Sequence, residues 1–264
     1  MKDNSKIYVL STGRCGSTFI SKLFKEISGG NIIPHQVKNA RRVNILGNMV
    51  LSNIIPPIFL NSVLRIDKTD NLPDNSADPL FSIGLTEYIK NFKTSNNYKI
   101  VHLVRDPRDF TRSFISWKQR KLSGVIAHHF TPFWQPSPLF IEKKILKRLA
   151  MTKFEHFCWI WNYKNNYFER YFSNDSYYRI RLEDLVSEKK DNKYLKELLE
   201  FIELTGNTKS IELSDPINKS KIKKISKWQD WDSITAKNLD HYCGRLMRKY
   251  GYGNELDWEL LIKN

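Results

Sequence analysis

Apolar positions along the chain switch repeatedly between a short, β-branched pattern and a helical one. Residues 6–11 (KIYVLS) form an apolar run that ends at a Gly-containing turn, so they read as a buried strand. In residues 17–27, Phe19, Ile20, Leu23, Phe24 and Ile27 recur at helical spacing; Ser17 and Thr18 are placed to cap this helix and Gly29-Gly30 to stop it. Short strands are expected at 31–34 and 61–66, and a helix at 79–92 with Phe81, Leu85, Tyr88, Ile89 and Phe92 on one side. A further strand at 99–104 (KIVHLV) leads through a turn at 105–108 into a helix from Asp109. Residues 151–172 predict a long amphipathic helix whose stripe is Phe154, Phe157, Cys158, Trp161, Phe168 and Phe172. A strand at 178–182 and helices at 192–204 and 233–250 complete the pattern, the last stopped by Gly251.

Alternation of this kind predicts an α/β fold: a central parallel β-sheet with helices on both faces. Ligands of such sheets bind beyond the carboxyl ends of the strands. The two turns richest in chemistry, after Ser11 and after Val104, both fall there. The first reads S-T-G-R-C-G-S-T over residues 11–18. Gly13 and Gly16 permit a tight turn with converging backbone N–H groups, and the helix that follows adds the positive end of its dipole. Arg14, Ser17 and Thr18 add further donors, so the segment suits a phosphate or sulfate. It lacks the lysine of a Walker A loop, because Ser17 follows Gly16 directly, and it is no G-x-G-x-x-G fingerprint.

The second turn, within KIVHLVRDPRDFTRSFISW, places Arg105 at the end of a buried strand. Pro107 fixes the turn, Asp109 is positioned to cap the helix, and Arg108 and Arg112 bring additional charge. The whole chain is basic as well: 43 Lys and Arg against 28 Asp and Glu give a net charge of +15 over 264 residues. That excess favours an anionic partner but does not choose the fold. Hydrophobic residues at 41% suffice for a core and exclude a largely disordered chain. The length fits one domain over residues 1–264. Cys15, Cys158 and Cys243 form neither a disulfide framework nor a zinc motif. Residues 50–64 are the most apolar stretch, too short to span a bilayer and broken by Pro56-Pro57. A cytoplasmic protein with no membrane span is expected, and without a DNA- or RNA-reading motif no nucleic-acid partner.

STGRCGSTFISKLF resembles the 5′-phosphosulfate loop of sulfotransferases that use 3′-phosphoadenosine 5′-phosphosulfate (PAPS), with Arg14 at the loop's basic position. The second turn strengthens that resemblance. Arg105, which opens R-D-P-R-D, and Ser113 eight residues later correspond to the family's 3′-phosphate pair. RIDKTDNLP at 65–73 is similar to the family's [ED]-K-T-P element, departing from it at Asp70, and would direct Lys68 at the transferring group. RIRLEDL at 179–185 resembles R-Y-E-D-L, with Glu183 and Asp184 read as structural, capping and pairing with Arg181. INKSKIKKISKW at 217–228 resembles the basic loop that closes over the 3′-phosphate, and Lys227-Trp228 matches its basic-Trp dipeptide.

The resemblance implies a P-loop-NTPase-like sulfotransferase architecture and transfer of a sulfuryl group from PAPS to a hydroxyl or amine, with PAP as product and no metal. Its donor-binding residues would be Arg14, Cys15, Gly16, Ser17, Thr18, Arg105, Ser113, Lys227 and Trp228. Arg14, Lys68 and the loop N–H groups would stabilise the departing 5′-phosphate in a loose, in-line transition state. A hydroxyl acceptor also needs a base. His35, at the end of the second expected strand, comes first, followed by Asp70 and Asp67. Cys15 reads as a small loop residue rather than a nucleophile. Residues 121–149, with His128-His129 and several aromatics, fall outside the resemblance and are assigned to acceptor binding. The acceptor stays open between a glycan, a peptide tyrosine, a lipid and a small alcohol, and the oligomeric state is not legible. A P-loop kinase-like phosphotransferase, or an inactive PAP(S)-binding member of the family, are the alternatives.

Overall fold

The computed structural model describes residues 6–28, 40–59, 75–76, 83–84, 86–87, 98–118, 135–143, 150–172, 175–186, 193–204 and 226–263. Its centre is a wholly parallel sheet of β1 (Lys6–Ser11), β2 (Asn75–Ser76), β3 (Tyr98–Val104) and β4 (Tyr177–Arg181), in the order β2-β1-β3-β4. β1 and β3 run side by side in register from Lys6 opposite Tyr98 to Ser11 opposite Leu103. β4 pairs with the other edge of β3, setting Arg181 opposite Val104. Parallel neighbours need crossovers, and the segments between these strands supply them with helices.

Alternate side chains of β1 enter different clusters, as a sheet covered on both faces requires. Ile7 and Val9 join Ile20, Leu23, Phe24 and Ile27 of α1 (Ser17–Ile27). Tyr8 and Leu10 join Val50 of α2 (Ala40–Leu51), with Ile100, Phe168 and Phe172. β3 leads into α3 (Pro107–Lys118), and the short α4 (Pro138–Ile141) lies in the next stretch. The long α5 (Lys153–Tyr171) packs against α3 and contributes to both clusters. Its start is secured by a capping box: Thr152 Oγ1 accepts from Glu155 N, and the Glu155 carboxylate accepts from Thr152 N.

After β4 come α6 (Leu182–Leu185) and α7 (Lys193–Phe201), then a 3₁₀ turn at Trp228–Asp230, α8 (Ser233–Lys249) and α9 (Leu256–Lys263). α8 lies along α5 and carries α9. The buried Trp161, Leu239, Cys243, Met247 and Trp258 join this layer to the sheet core. Burying side chains of this size contributes about 1.5–3 kcal/mol each, so the layer is held chiefly by apolar area.

The bounds read for β1 and α1 agree with the structure, but the capping differs. Gly16, not Ser17 or Thr18, is the N-cap of α1, and no side chain caps it. α3 begins at Pro107, with the Asp106 carboxylate accepting from Arg108 N at 2.8 Å, so Asp106 rather than Asp109 caps it. The expected strands at 31–34 and 61–66 lie outside the described residues. Among the described residues no helix is long and apolar enough to cross a membrane.

Candidate anion site at the ends of β1 and β3

The turn after β1 is shaped by three residues with positive φ: Gly13 at 90°, Arg14 at 56° and Gly16 at 81°. Arg14 is the one with a Cβ, so the loop holds local strain of the kind that persists where the surroundings fix it. Gly16 is required twice over: beyond its φ, a Cβ there would stand 2.4 Å from Leu182 Cδ1 at the start of α6. The loop is braced from within. Gly13 N donates to Ser11 Oγ at 3.3 Å, and Cys15 Sγ lies 3.0 Å from Thr12 Oγ1 and donates to Gly13 O at 3.2 Å. Since no side chain caps α1, its first N–H groups are left to the loop side, where the helix dipole is positive.

The turn after β3 meets this loop directly. Arg105 Nη1 donates to the Arg14 carbonyl at 2.8 Å, and Arg14 Nε donates to Ser113 Oγ at 3.2 Å. Three residues separated by up to 99 positions thus converge at the ends of adjacent strands. Behind them, Trp161 Nε1 of α5 donates to the Arg105 carbonyl at 2.9 Å and fixes where β3 releases the chain. Arg105 Nε is buried and, among the described residues, has no hydrogen-bond partner. A buried N–H of a charged group left unbonded is costly unless a ligand completes it.

Cys15 is fully buried, and that burial pushes its thiol up to about 11. It is therefore a neutral thiol near pH 7, which agrees with the small loop residue expected from the sequence and not with a nucleophile. Ser17 is buried as well, while Thr18 is half-buried at the loop's rim.

Arg108 departs from expectation. It adds no available charge to the crevice, because it is 2% exposed and bonded along its length. Its guanidinium donates to both Asp106 oxygens, the shortest contact being 2.6 Å, and to Glu255 at 2.7 and 3.1 Å. Its Cζ lies 4.4 Å from the centre of the Trp228 ring and 5.0 Å from that of Trp258, and the two indoles meet each other edge to face at 5.6 Å. Arg112 is likewise taken up, by Asp109 one turn away at 2.9 Å. The Arg108 knot joins the second turn to Lys227-Trp228: Trp228 is packed against Arg108, and Lys227 beside it is exposed. Of the pair after β4, Asp184 holds Arg181 through two bonds at 2.7 Å, whereas Glu183 reaches elsewhere, accepting from Asp106 N at 3.2 Å and from Tyr252 Oη at 2.6 Å. Burial raises the Glu183 carboxyl.

His35, Lys68, Asp67 and Asp70, and the lysines at 219, 221, 223 and 224, lie outside the described residues. So does most of the expected acceptor segment; of 121–149, only 135–143 is described, anchored where Trp159 Nε1 donates to Glu142 Oε1 at 2.7 Å. A cleft of about 370 Å³ bounded by Val50, Leu51, Ile54, Ile55 and Glu87 takes no wall from either turn.

Lys164 was missed by the sequence reading. It is 2% exposed and lies within α5. Burial lowers its ammonium to about 8. The signal was present: 157, 161, 164 and 168 form one helical stripe, and its third place holds a lysine among aromatics.

No protein-family model matches the sequence, and no curated protein does so. Among solved structures, the chain is similar to one described as a sulfotransferase domain from the curacin biosynthetic pathway. The likeness covers 96% of this chain and 99% of that one, with a TM-score of 0.50 and 15% identity. At that identity it is the fold that is shared: a parallel α/β sheet flanked by helices, arranged as in a sulfotransferase domain.

Proposed function

We propose that the chain is a sulfotransferase that takes PAPS as donor and modifies a hydroxyl or amine of a separate acceptor. One observation carries the reading: Arg14, Ser113 and Arg105 interlock at the ends of β1 and β3, where two motifs read independently from the sequence meet. A donor with an anionic group at each end suits two adjoining cationic turns. Arg105 Nε, buried and without a partner among the described residues, is a donor such a ligand would complete.

When bound, PAPS supplies an activated sulfuryl group whose bond to the 5′-phosphate oxygen breaks as the acceptor's bond to sulfur forms. The chain's own residues position and neutralise. The N–H groups at the start of α1 and the Arg14 side chain hold the 5′ end and offset charge gathering on the leaving phosphate. Arg105, with Ser113, holds the 3′-phosphate, and Lys227 stands by from the exposed end of the Trp228 segment. Lys68 is assigned to the transferring group, and His35, then Asp70, to the acceptor's proton.

Binding of PAP to the native state must raise the melting temperature by mass action. A PAP shift well above those given by ATP and AMP at equal concentration is the expected result. Equal shifts with ATP would favour a phosphotransferase instead, and PAP binding without label transfer from ³⁵S-PAPS to any acceptor class would leave an inactive binding protein.

A further inference from the structure

We infer that Glu183 is a positioning residue for Arg105: together with Trp161 it fixes the peptide unit that leaves Arg105, and so sets where the guanidinium meets the donor's 3′-phosphate. This inference rests on the donor reading above and adds to it a residue from the end of a third strand, β4, outside both anion turns.

The peptide between Arg105 and Asp106 belongs to neither flanking element, since β3 ends at Val104 and α3 begins at Pro107. Its plane is rigid, with the Arg105 carbonyl and the Asp106 N–H on opposite sides of it. Both ends are taken by side chains from other elements. Trp161 Nε1 of α5 donates to the carbonyl at 2.9 Å, and Glu183 Oε1 of α6 accepts from the N–H at 3.2 Å. Two such anchors stop the plane from turning. A plane free to turn between a fixed strand and a fixed helix would swing the Arg105 Cα, and its side chain with it. The far side of Asp106 is secured as well, because its carboxylate accepts from Arg108 N and from the Arg108 guanidinium.

Glu183 is itself seated on the first loop. Leu182, its neighbour, closes on Gly16 so tightly that an added Cβ there would stand 2.4 Å from Leu182 Cδ1. The start of α6 thus touches the loop after β1 through one residue and the turn after β3 through the next. The bond from Arg105 Nη1 to the Arg14 carbonyl at 2.8 Å closes the triangle. Such bracing suits a donor whose two anionic ends need the two turns at one spacing.

The contribution lies in the reach of the side chain rather than in its charge. Both donors to the Glu183 carboxylate are neutral: the Asp106 N–H, and Tyr252 Oη at 2.6 Å. The nearby cation, Arg181, is held instead by Asp184 through two bonds at 2.7 Å. A glutamine in place of Glu183 has the same length; its carbonyl accepts from Asp106 N, and its amide donates to the Tyr252 oxygen. An aspartate keeps the charge but draws the acceptor back by one methylene and loses the N–H.

The test is calorimetric titration of the full chain with PAP and with AMP, which lacks the 3′-phosphate, on wild type, Glu183→Gln and Glu183→Asp. Glu183→Asp should bind PAP about tenfold more weakly, the effect of one lost hydrogen bond at the site, while its AMP affinity stays within about twofold of wild type. Its preference for PAP over AMP therefore falls. Glu183→Gln should keep that preference within about twofold. Equal losses of PAP and AMP affinity in Glu183→Asp would show a general structural role and overturn the inference. It is overturned too if Glu183→Asp keeps the wild-type preference, or if Glu183→Gln loses as much of it as Glu183→Asp; in these cases the donor reading stands. A wild type with no preference for PAP over AMP sinks the donor reading, and the inference with it.

Discussion

Arg105 and Arg108 stand three residues apart in one turn and have opposite surroundings. Arg108 is enclosed: two carboxylates take its N–H groups, and two indoles pack beside it. Arg105 spends one N–H on a neutral carbonyl and leaves a buried Nε unbonded among the described residues. The same residue type thus serves as an internal staple in one case and as a receptor for charge in the other. With a net charge of +15, a count of basic residues near the sheet edge does not locate a site. What locates it is lack of compensation: Arg105, whose buried Nε has no hydrogen-bond partner among the described residues, is bonded to the loop after β1.

The sharpest way to break that comparison is to truncate each arginine and read stability and binding separately. Arg108→Ala leaves Asp106 buried without its partner and removes the face on which Trp228 rests. Breaking a buried pair of this kind costs about 3–5 kcal/mol, or roughly 6–15 °C in Tm for a chain of this size. Arg108→Lys should recover little of it, because an ammonium neither forks between two carboxylates nor offers a planar group to the indoles beside it. If Arg108→Ala melts like wild type, the staple reading is wrong.

Arg105→Ala should do the reverse. It removes a charged hydrogen-bonding group from the site, so PAP affinity should fall by about 10- to 100-fold, the range of a lost bond to a charged group of about 1.5–3 kcal/mol. Tm without nucleotide should change by less than in Arg108→Ala, since the bond lost inside the protein is one to a carbonyl. Thermal denaturation with and without PAP measures both quantities at once. Unchanged PAP affinity would detach Arg105 from the site.

The same contrast explains what the sequence disclosed. β1 and α1 were legible to the residue because a β-branched run, a Gly turn and a 3.6-residue stripe are all local signals. The convergence of the two turns followed from the rule for parallel sheets, which needs no knowledge of side-chain positions. Arg108 was misjudged because Glu255, which neutralises it, lies 147 residues away, and no local pattern announces such a pair. Glu183 and Asp184 were read together as capping and pairing with Arg181; Asp184 does hold Arg181, while tertiary packing sends Glu183 to Asp106 and Tyr252. β2 is two residues long, too short to carry a period, and α2 and α9 went unread beside stronger neighbours. Lys164 was hidden by the habit of reading an amphipathic stripe through its apolar members, when the informative position was the polar one.

The smallest effect, and the one that sharpens the comparison most, is expected for Glu255→Gln. Glu255 is the half-exposed partner of Arg108, its side chain 46% accessible, so its bond is screened by solvent and contributes at most about 1 kcal/mol. Although burial alone would raise the carboxyl, the Arg108 guanidinium and backbone N–H groups together hold it below the usual range. A carboxyl lowered in the folded state adds stability that is present above the unfolded value and is lost as pH falls through the folded one. The Tm gap between wild type and Glu255→Gln should therefore be small but measurable near pH 7. It should shrink as pH drops below the ordinary glutamate value of about 4.5 and close once both chains carry a neutral group there. PAP affinity should not move, because Asp106 still holds Arg108, and Trp228 and Trp258 still cover it. A Glu255→Gln variant that lost PAP binding while melting normally would show that the Arg108 staple communicates with the Arg105 pocket, and the two arginines could no longer be treated as separate devices.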